Sequence, residues 1–223
     1  MNLAKSYDFF QPEMCRERLH IIGCGSVGST LAENLARFGL TKFTLYDFDR
    51  VEPHNIVNQM FTSEDIGKLK TDATAEMLIR INPDIKADLR TVDKGYVGQR
   101  LSGYVFLCVD SIDLRREIAT INRDNQHIKA MFDFRTRLTD AQHYAADWSD
   151  LKMVEAFLNS MAFTHEEAKE ATPVSACNVT LCVAPTVRSI VNAGVVNFIN
   201  FVKGNGIKKL ILDEPFAFAA DAF

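Results

Sequence analysis

The stretch that decides the fold is Leu19-His20-Ile21-Ile22-Gly23-Cys24-Gly25-Ser26-Val27-Gly28. A run of strand length turns directly into G-x-G-x-x-G. Val27, Leu31, Leu35 and Phe38 then recur at helical spacing up to Gly39, a terminating glycine. Glycines in this order permit a tight turn, close approach of backbone to phosphate and close packing of helix on strand. The helix starts with free N–H groups and the positive end of its dipole, which together seat an anion. Phe43 to Tyr46 reads as the next strand, and Asp47 at its end is placed to accept hydrogen bonds from ribose hydroxyls. Strand, glycines, helix, strand and acid agree on a nucleotide site, with Gly23, Gly25, Ser26, Gly28 and Asp47 as binding residues. Up to this point a nicotinamide-dependent dehydrogenase would read the same way.

Outward from this unit, apolar runs of strand length alternate with helical patterns, the rhythm of a parallel sheet covered by helices. Lys70 to Ile81 reads as a helix stopped by Asn82-Pro83, and Ile85 to Val92 as a third strand. Tyr104 to Val109 is a fourth strand, ending at Asp110-Ser111, where Ser111 or Asp113 can begin a helix. His127 to Phe134 supplies a fifth strand and Ala141 to Ala146 an outer one. The polar stretch from Asp147 to Thr172 breaks the rhythm, so residues 147–176 read as an insertion or mobile crossover. Pro185 to Val202 is helical and apolar nearly all round, hence buried against the sheet or a second subunit, and Lys209 to Leu212 is a final strand. The expectation is one α/β domain over residues 1–223: a Rossmann-like, mostly parallel sheet with helices on both faces.

Composition excludes several classes. Hydrophobic residues at 47% and charged residues at 24% are globular proportions, which argues against disorder. A net charge of −4 is a poor match to nucleic acid, whose phosphates need a basic field. The five cysteines include no C-x-x-C pair, so neither a disulfide framework nor a cysteine-type zinc site is expected. Leu181 to Val202 carries Pro185, Arg188, Asn192, Asn197 and Asn200, which makes membrane insertion costly. No signal peptide is read at the start, so a cytoplasmic protein is expected. His20, inside the first strand, reads as a satisfied core histidine.

The sequence after the second strand separates the chain from dehydrogenases. Asp47-Phe48-Asp49-Arg50-Val51-Glu52-Pro53-His54-Asn55-Ile56-Val57-Asn58-Gln59, then Asp65-Ile66-Gly67-Lys68-Leu69-Lys70, resembles the ThiF/MoeB family of adenylyltransferases, related to ubiquitin-activating enzymes. Ile81-Asn82-Pro83, and Cys108-Val109-Asp110-Ser111 with Arg115, match in the same order and spacing. The resemblance implies ATP- and magnesium-dependent adenylation of the C-terminal carboxylate of a ubiquitin-like or sulfur-carrier protein ending in glycine, and a homodimer through the apolar helices is expected. It implies that Asp47 binds ribose, that Asn55 and Lys70 contact phosphates and that Asp110 holds magnesium. Asp49, Asn58 and Gln59 fall among its nucleotide contacts. The chemistry is coherent, because a phosphoryl group attacked by a carboxylate needs its charge neutralised by a cation, a metal or fixed donors. Lys70 and Asp110 are expected on exposed helix or strand ends.

One position departs from the family pattern. Asn58 stands where N-x-x-R-Q has arginine, so forked charge is missing at a phosphate, and Arg16, Arg18, Arg50 or a second subunit's arginine would have to supply it. Cys177, in Ser175-Ala176-Cys177-Asn178 ahead of Pro185, resembles a family cysteine that receives or transfers the activated partner; a buried structural thiol is the alternative. Cys182 reads as core. A dehydrogenase and a non-catalytic nucleotide-binding scaffold remain as other readings, the latter favoured by Asn58.

Overall fold

The computed structural model describes residues 1–170 and 181–223. Its strands form one sheet in the order β3-β2-β1-β4-β5-β6-β7-β8. Strands β1 (Leu19–Ile22), β2 (Phe43–Tyr46), β3 (Arg90–Val92), β4 (Gly103–Leu107) and β5 (Ile128–Thr136) run parallel. Strands β6 (Ala141–Asp147), β7 (Leu210–Glu214) and β8 (Ala219–Ala222) continue the sheet antiparallel. The inner strands β1, β2 and β4 are buried at every residue, as expected of parallel strands covered on both faces.

Helices α1 (Ser26–Arg37), α2 (Lys70–Ile81) and α6 (Ala184–Val202) cover one face, around a core that includes Leu31, Leu78, Phe106, Phe132 and Phe198. Helices α3 (Ile112–Ile121) and α4 (Leu151–Asn159) cover the other, around Val105, Ile118, Met131 and Phe157. The expected layers are therefore present. Strand order reverses between β1 and β4, which opens a crevice at their C-terminal edge where ligands of such sheets bind.

Three elements differ from the sequence reading. The third strand starts later than Ile85: the Asn82 side chain accepts from Asp84 N at 3.2 Å and Pro83 begins a 3-10 turn, so fully buried Ile85 plugs the core from a turn. The described part of the 147–176 segment carries two helices that the sequence reading did not place. Asp150 caps α4 through bonds from Lys152 N and Met153 N; a short helix α5 (His165–Glu170) follows, and Val154, Phe157 and Met161 join Trp148 in the core. Strand β8 has no counterpart in the sequence reading because Ala219 to Ala222 is exposed throughout and carries no apolar alternation. As expected, α6 packs on β5, β6 and β7, and also against α1. No described helix is long and apolar enough to cross a membrane.

Candidate functional site

The site is built where β1, β2 and β4 end. At Gly23, with φ of +97°, a Cβ would stand 2.7 Å from Cys108 O, so the loop after β1 lies directly on the end of β4. At Gly28 a Cβ would stand 1.8 Å from Gly23 O, and only glycine lets α1 start this close to the strand. Among the described residues, nothing lies within 4 Å of a Cβ placed on Gly25 and no side chain caps α1, so its first N–H groups are left without a side-chain partner. That is the cradle a phosphate requires.

Asp47 closes the loop from the β2 side. Its Oδ2 accepts from Cys24 N at 2.7 Å and its Oδ1 from Asp49 N at 2.8 Å, while burial raises its carboxyl pKa against the pull of those two bonds and of Lys70. Lys70 opens α2 and is buried rather than on an exposed helix end. Its Nζ stands 2.8 Å from Asp49 Oδ2, with the lysine side chain 10% exposed and the aspartate side chain 51%. The ammonium is thus held inward by a carboxylate that itself faces solvent. Backbone bonds from Val51 N to Lys68 O and from Gly67 N to Val51 O zip the acidic loop to the start of α2. This explains how residues far apart in sequence meet at one point.

Asn55 is buried, and its Oδ1 accepts from Glu52 N at 2.9 Å as part of a capping box. Gln59 keeps a buried Oε1 with no hydrogen-bond partner among the described residues. Asp110 lies exposed just past β4, across the crevice from the glycine loop. No cluster of three or more metal-ligating side chains exists among the described residues. One carboxylate nevertheless suits magnesium, which keeps waters and takes phosphate oxygens instead of a full protein cage.

The profile of the ThiF family matches residues 7–218. The chain belongs to the ThiF family. Ubiquitin-like modifier-activating enzyme 5 of Drosophila persimilis is 31% identical over 134 residues, covering 53% of this chain and 34% of that one. The Bombyx mori protein of the same name is 36% identical over 124 residues, covering 48% and 32%. The chain thus aligns with about a third of the length of these relatives. Among solved structures, Escherichia coli MccB with MccA-N7isoASN superposes with a TM-score of 0.72 at 14% identity, covering 95% of this chain and 66% of that one. PaaA superposes at 0.69 with 18% identity, covering 95% and 65%. These structural likenesses show the same fold.

Within this ThiF-family chain, the arginine missing at Asn58 is not replaced by Arg16 or Arg18. Arg18 Nη1 donates to Phe43 O at 3.0 Å and to Asp88 O at 2.8 Å, and Lys42 Nζ donates to Arg16 O, so both sit at the N-terminal edge of the sheet, opposite the crevice. Arg50 is on the site's own loop but donates to Gly67 O at 2.7 Å. Asn58 Nδ2 donates to Cys182 O at 3.0 Å, tying the motif loop to the lead-in of α6. Burial raises the Cys15 thiol to about 12 and pushes Cys24 and Cys108 well above the usual range, so these three are inert. Cys182 is half-buried against the core, and Cys177 lies outside the described residues. His20 is satisfied as expected, with Nδ1 2.8 Å from the Tyr46 hydroxyl.

Sequence reasoning missed the role of Arg115. It is buried at the start of α3; its Nε donates to Val109 O at 2.7 Å and its Nη1 pairs with buried Asp133 at 2.5 Å. The motif match marks Arg115 but carries no sign of Asp133, which is distant in sequence.

Proposed function

We propose that this chain adenylates the C-terminal carboxylate of a ubiquitin-like or sulfur-carrier protein, using ATP and magnesium, as a homodimer in the cytoplasm. One observation carries the reading: an open glycine cradle, the inward-held cation of Lys70 and the exposed carboxylate of Asp110 meet at one edge of the sheet. Membership of the ThiF family and the names of the relatives support it.

In the reaction, a carboxylate oxygen of the carrier forms a bond to the α-phosphorus of ATP, the bond from that phosphorus to the β-bridging oxygen breaks, and pyrophosphate leaves with the electron pair. The N–H groups at the start of α1 receive phosphate oxygens, and Asp47, held by Cys24 N and Asp49 N, presents its carboxylate to ribose. Asn55 is fixed by its capping bond and offers its amide donors. Asp49 holds the Lys70 side chain extended until a phosphate competes for its Nζ. Gln59 gains its missing donor from the nucleotide or its bound water. Asp110 would hold magnesium, which when bound would supply divalent charge beside the phosphates. In a second step the Cys177 thiolate attacks the acyl carbon of the adenylate, forming a thioester and releasing AMP.

ATP–pyrophosphate exchange with carriers ending in Gly-Gly tests the first step. Asp110→Ala and Lys70→Ala should each cut exchange about a hundred- to thousand-fold, the roughly 3–4 kcal/mol typical of a lost charge stabiliser. Lys70→Ala leaves behind a half-exposed carboxylate, so the fold should survive. Wild-type exchange in both folded variants would sink the reading in favour of a nucleotide-binding scaffold. NADH binding without exchange would favour a dehydrogenase.

A further inference from the structure

We propose that Arg115 is a positioning residue that fixes the peptide carrying Asp110, and so sets where that carboxylate meets metal and phosphate. Arg115 is 7% exposed and sits in the first turn of α3. Its Nε donates to Val109 O at 2.7 Å, and its Nη2 donates to the same oxygen. Its Nη1 donates to Asp133 Oδ1 at 2.5 Å and to Phe134 O at 2.6 Å. One planar fork therefore clamps the end of β4 to β5. The clamped carbonyl belongs to the peptide whose N–H is that of Asp110, and because a peptide is planar, fixing the oxygen fixes the plane from which the Asp110 side chain departs. An exposed residue past a strand end otherwise has no such restraint. Asp133 is fully buried and its second oxygen accepts from Arg135 Nε at 2.7 Å, while Arg135 Nη1 donates to Ser160 O at 2.8 Å. The guanidinium of Arg115 is thus anchored from behind and has little freedom to release Val109.

The inference deepens the adenylation reading and rests on it for its chemical consequence, but the restraint itself is measured separately. Arg115→Lys keeps the charge beside Asp133 and loses the fork. Amide hydrogen exchange at Val109–Ile112 should accelerate about tenfold in this variant while β1 and β2 amides keep wild-type protection. The magnesium concentration giving half-maximal pyrophosphate exchange should rise about fivefold, since a carboxylate that must first be oriented binds the cation less well. If Arg115→Lys is folded with unchanged amide exchange at Val109–Ile112, or if β1 and β2 loosen equally, the inference fails. If Arg115→Lys does not fold, the wild-type Arg115 Nε–H resonance decides: a slowly exchanging proton supports the clamp, and one exchanging like free arginine overturns it. If the wild type shows no pyrophosphate exchange, the adenylation reading falls, while the amide data still decide whether Arg115 restrains Asp110.

Discussion

The parallel half of the sheet, β3-β2-β1-β4, and the antiparallel half that begins at the β5–β6 hairpin use polar groups in opposite ways. In the parallel half they stand at the strand ends and serve loops. Asp47 holds two backbone N–H groups, Asn55 caps a turn, and Asp49 and Lys70 meet at the rim. In the antiparallel half they are sunk beneath the helices. Asp133 pairs with both Arg115 and Arg135, and His143 Nε2 lies 3.2 Å from Asn197 Nδ2, whose side chain also bonds Lys208 N and O. Polar groups at a rim remain available to a ligand, whereas buried and satisfied ones fix the relation of strands to helices. Losses of the rim groups in the first half should therefore appear mainly in rates, and losses in the buried ion network of the second mainly in stability.

The largest test of this contrast is Asp133→Ala. Removing the carboxylate leaves the buried guanidinium of Arg115 and the half-buried one of Arg135 without that counter-charge, and breaking a buried pair typically costs about 3–5 kcal/mol. Urea unfolding should show that loss as a lower midpoint with an unchanged slope. A cost below about 1 kcal/mol, the range of exposed pairs, would mean that the antiparallel half does not depend on its buried ions.

The same contrast explains what is legible in the sequence. Chain order alone places Gly23, Gly28, Asp47 and Lys70 at a single edge, because strand, turn and helix follow one another locally and the apolar periods announce each switch. Asp133 sits inside the fifth apolar run and looks like an interruption; its partners Arg115 and Arg135 belong to α3 and to the end of β5. Trp148 reads as part of a polar insertion, yet its Nε1 donates to Asn122 O at 2.7 Å and its ring packs near Phe157. Such long-range satisfaction has no period to detect. The burial of Lys70 is hidden for the same reason, since its partner Asp49 lies on another loop.

Acid should strain both halves through one histidine each. Burial is the main cause lowering His20 to about 4, with Arg18 and Arg90 adding to it, and burial likewise lowers His143 to about 4 against the opposing pull of Asp133. An ordinary unfolded-state histidine titrates near 6.5, so between about 6.5 and about 4 the unfolded chain binds more protons than the folded one. Stability from these rings is therefore complete above that window and falls as pH drops through it, by roughly 2–3 kcal/mol for each ring near about pH 4.5. Asp47, with its raised pKa, acts with the opposite sign: the folded state holds its proton more tightly, which offsets part of the loss. Urea midpoints across this range should fall with acid, and His143→Gln should flatten the curve by about half. A flat wild-type curve would show that neither ring is neutral and buried as described.

Asn58 carries the smallest expected effect and joins the two halves. Its bond to Cys182 O links the acidic motif loop to the entry of α6, the helix that covers the antiparallel strands. One neutral hydrogen bond of this kind contributes about 0.5–1.5 kcal/mol, so Asn58→Ala should lower stability by about 1 kcal/mol. A tie of this sort holds backbone and brings no charge to a phosphate, so pyrophosphate exchange should stay within about threefold of wild type, well short of the loss caused by removing a charge stabiliser. A hundred-fold fall in exchange with unchanged stability would reverse the assignment, placing Asn58 among the phosphate contacts and moving the boundary between the halves to include the lead-in of α6 in the nucleotide site. Stability and exchange measured on the same Asn58→Ala preparation separate the two outcomes, because a tie between halves lowers the first and a phosphate contact lowers the second.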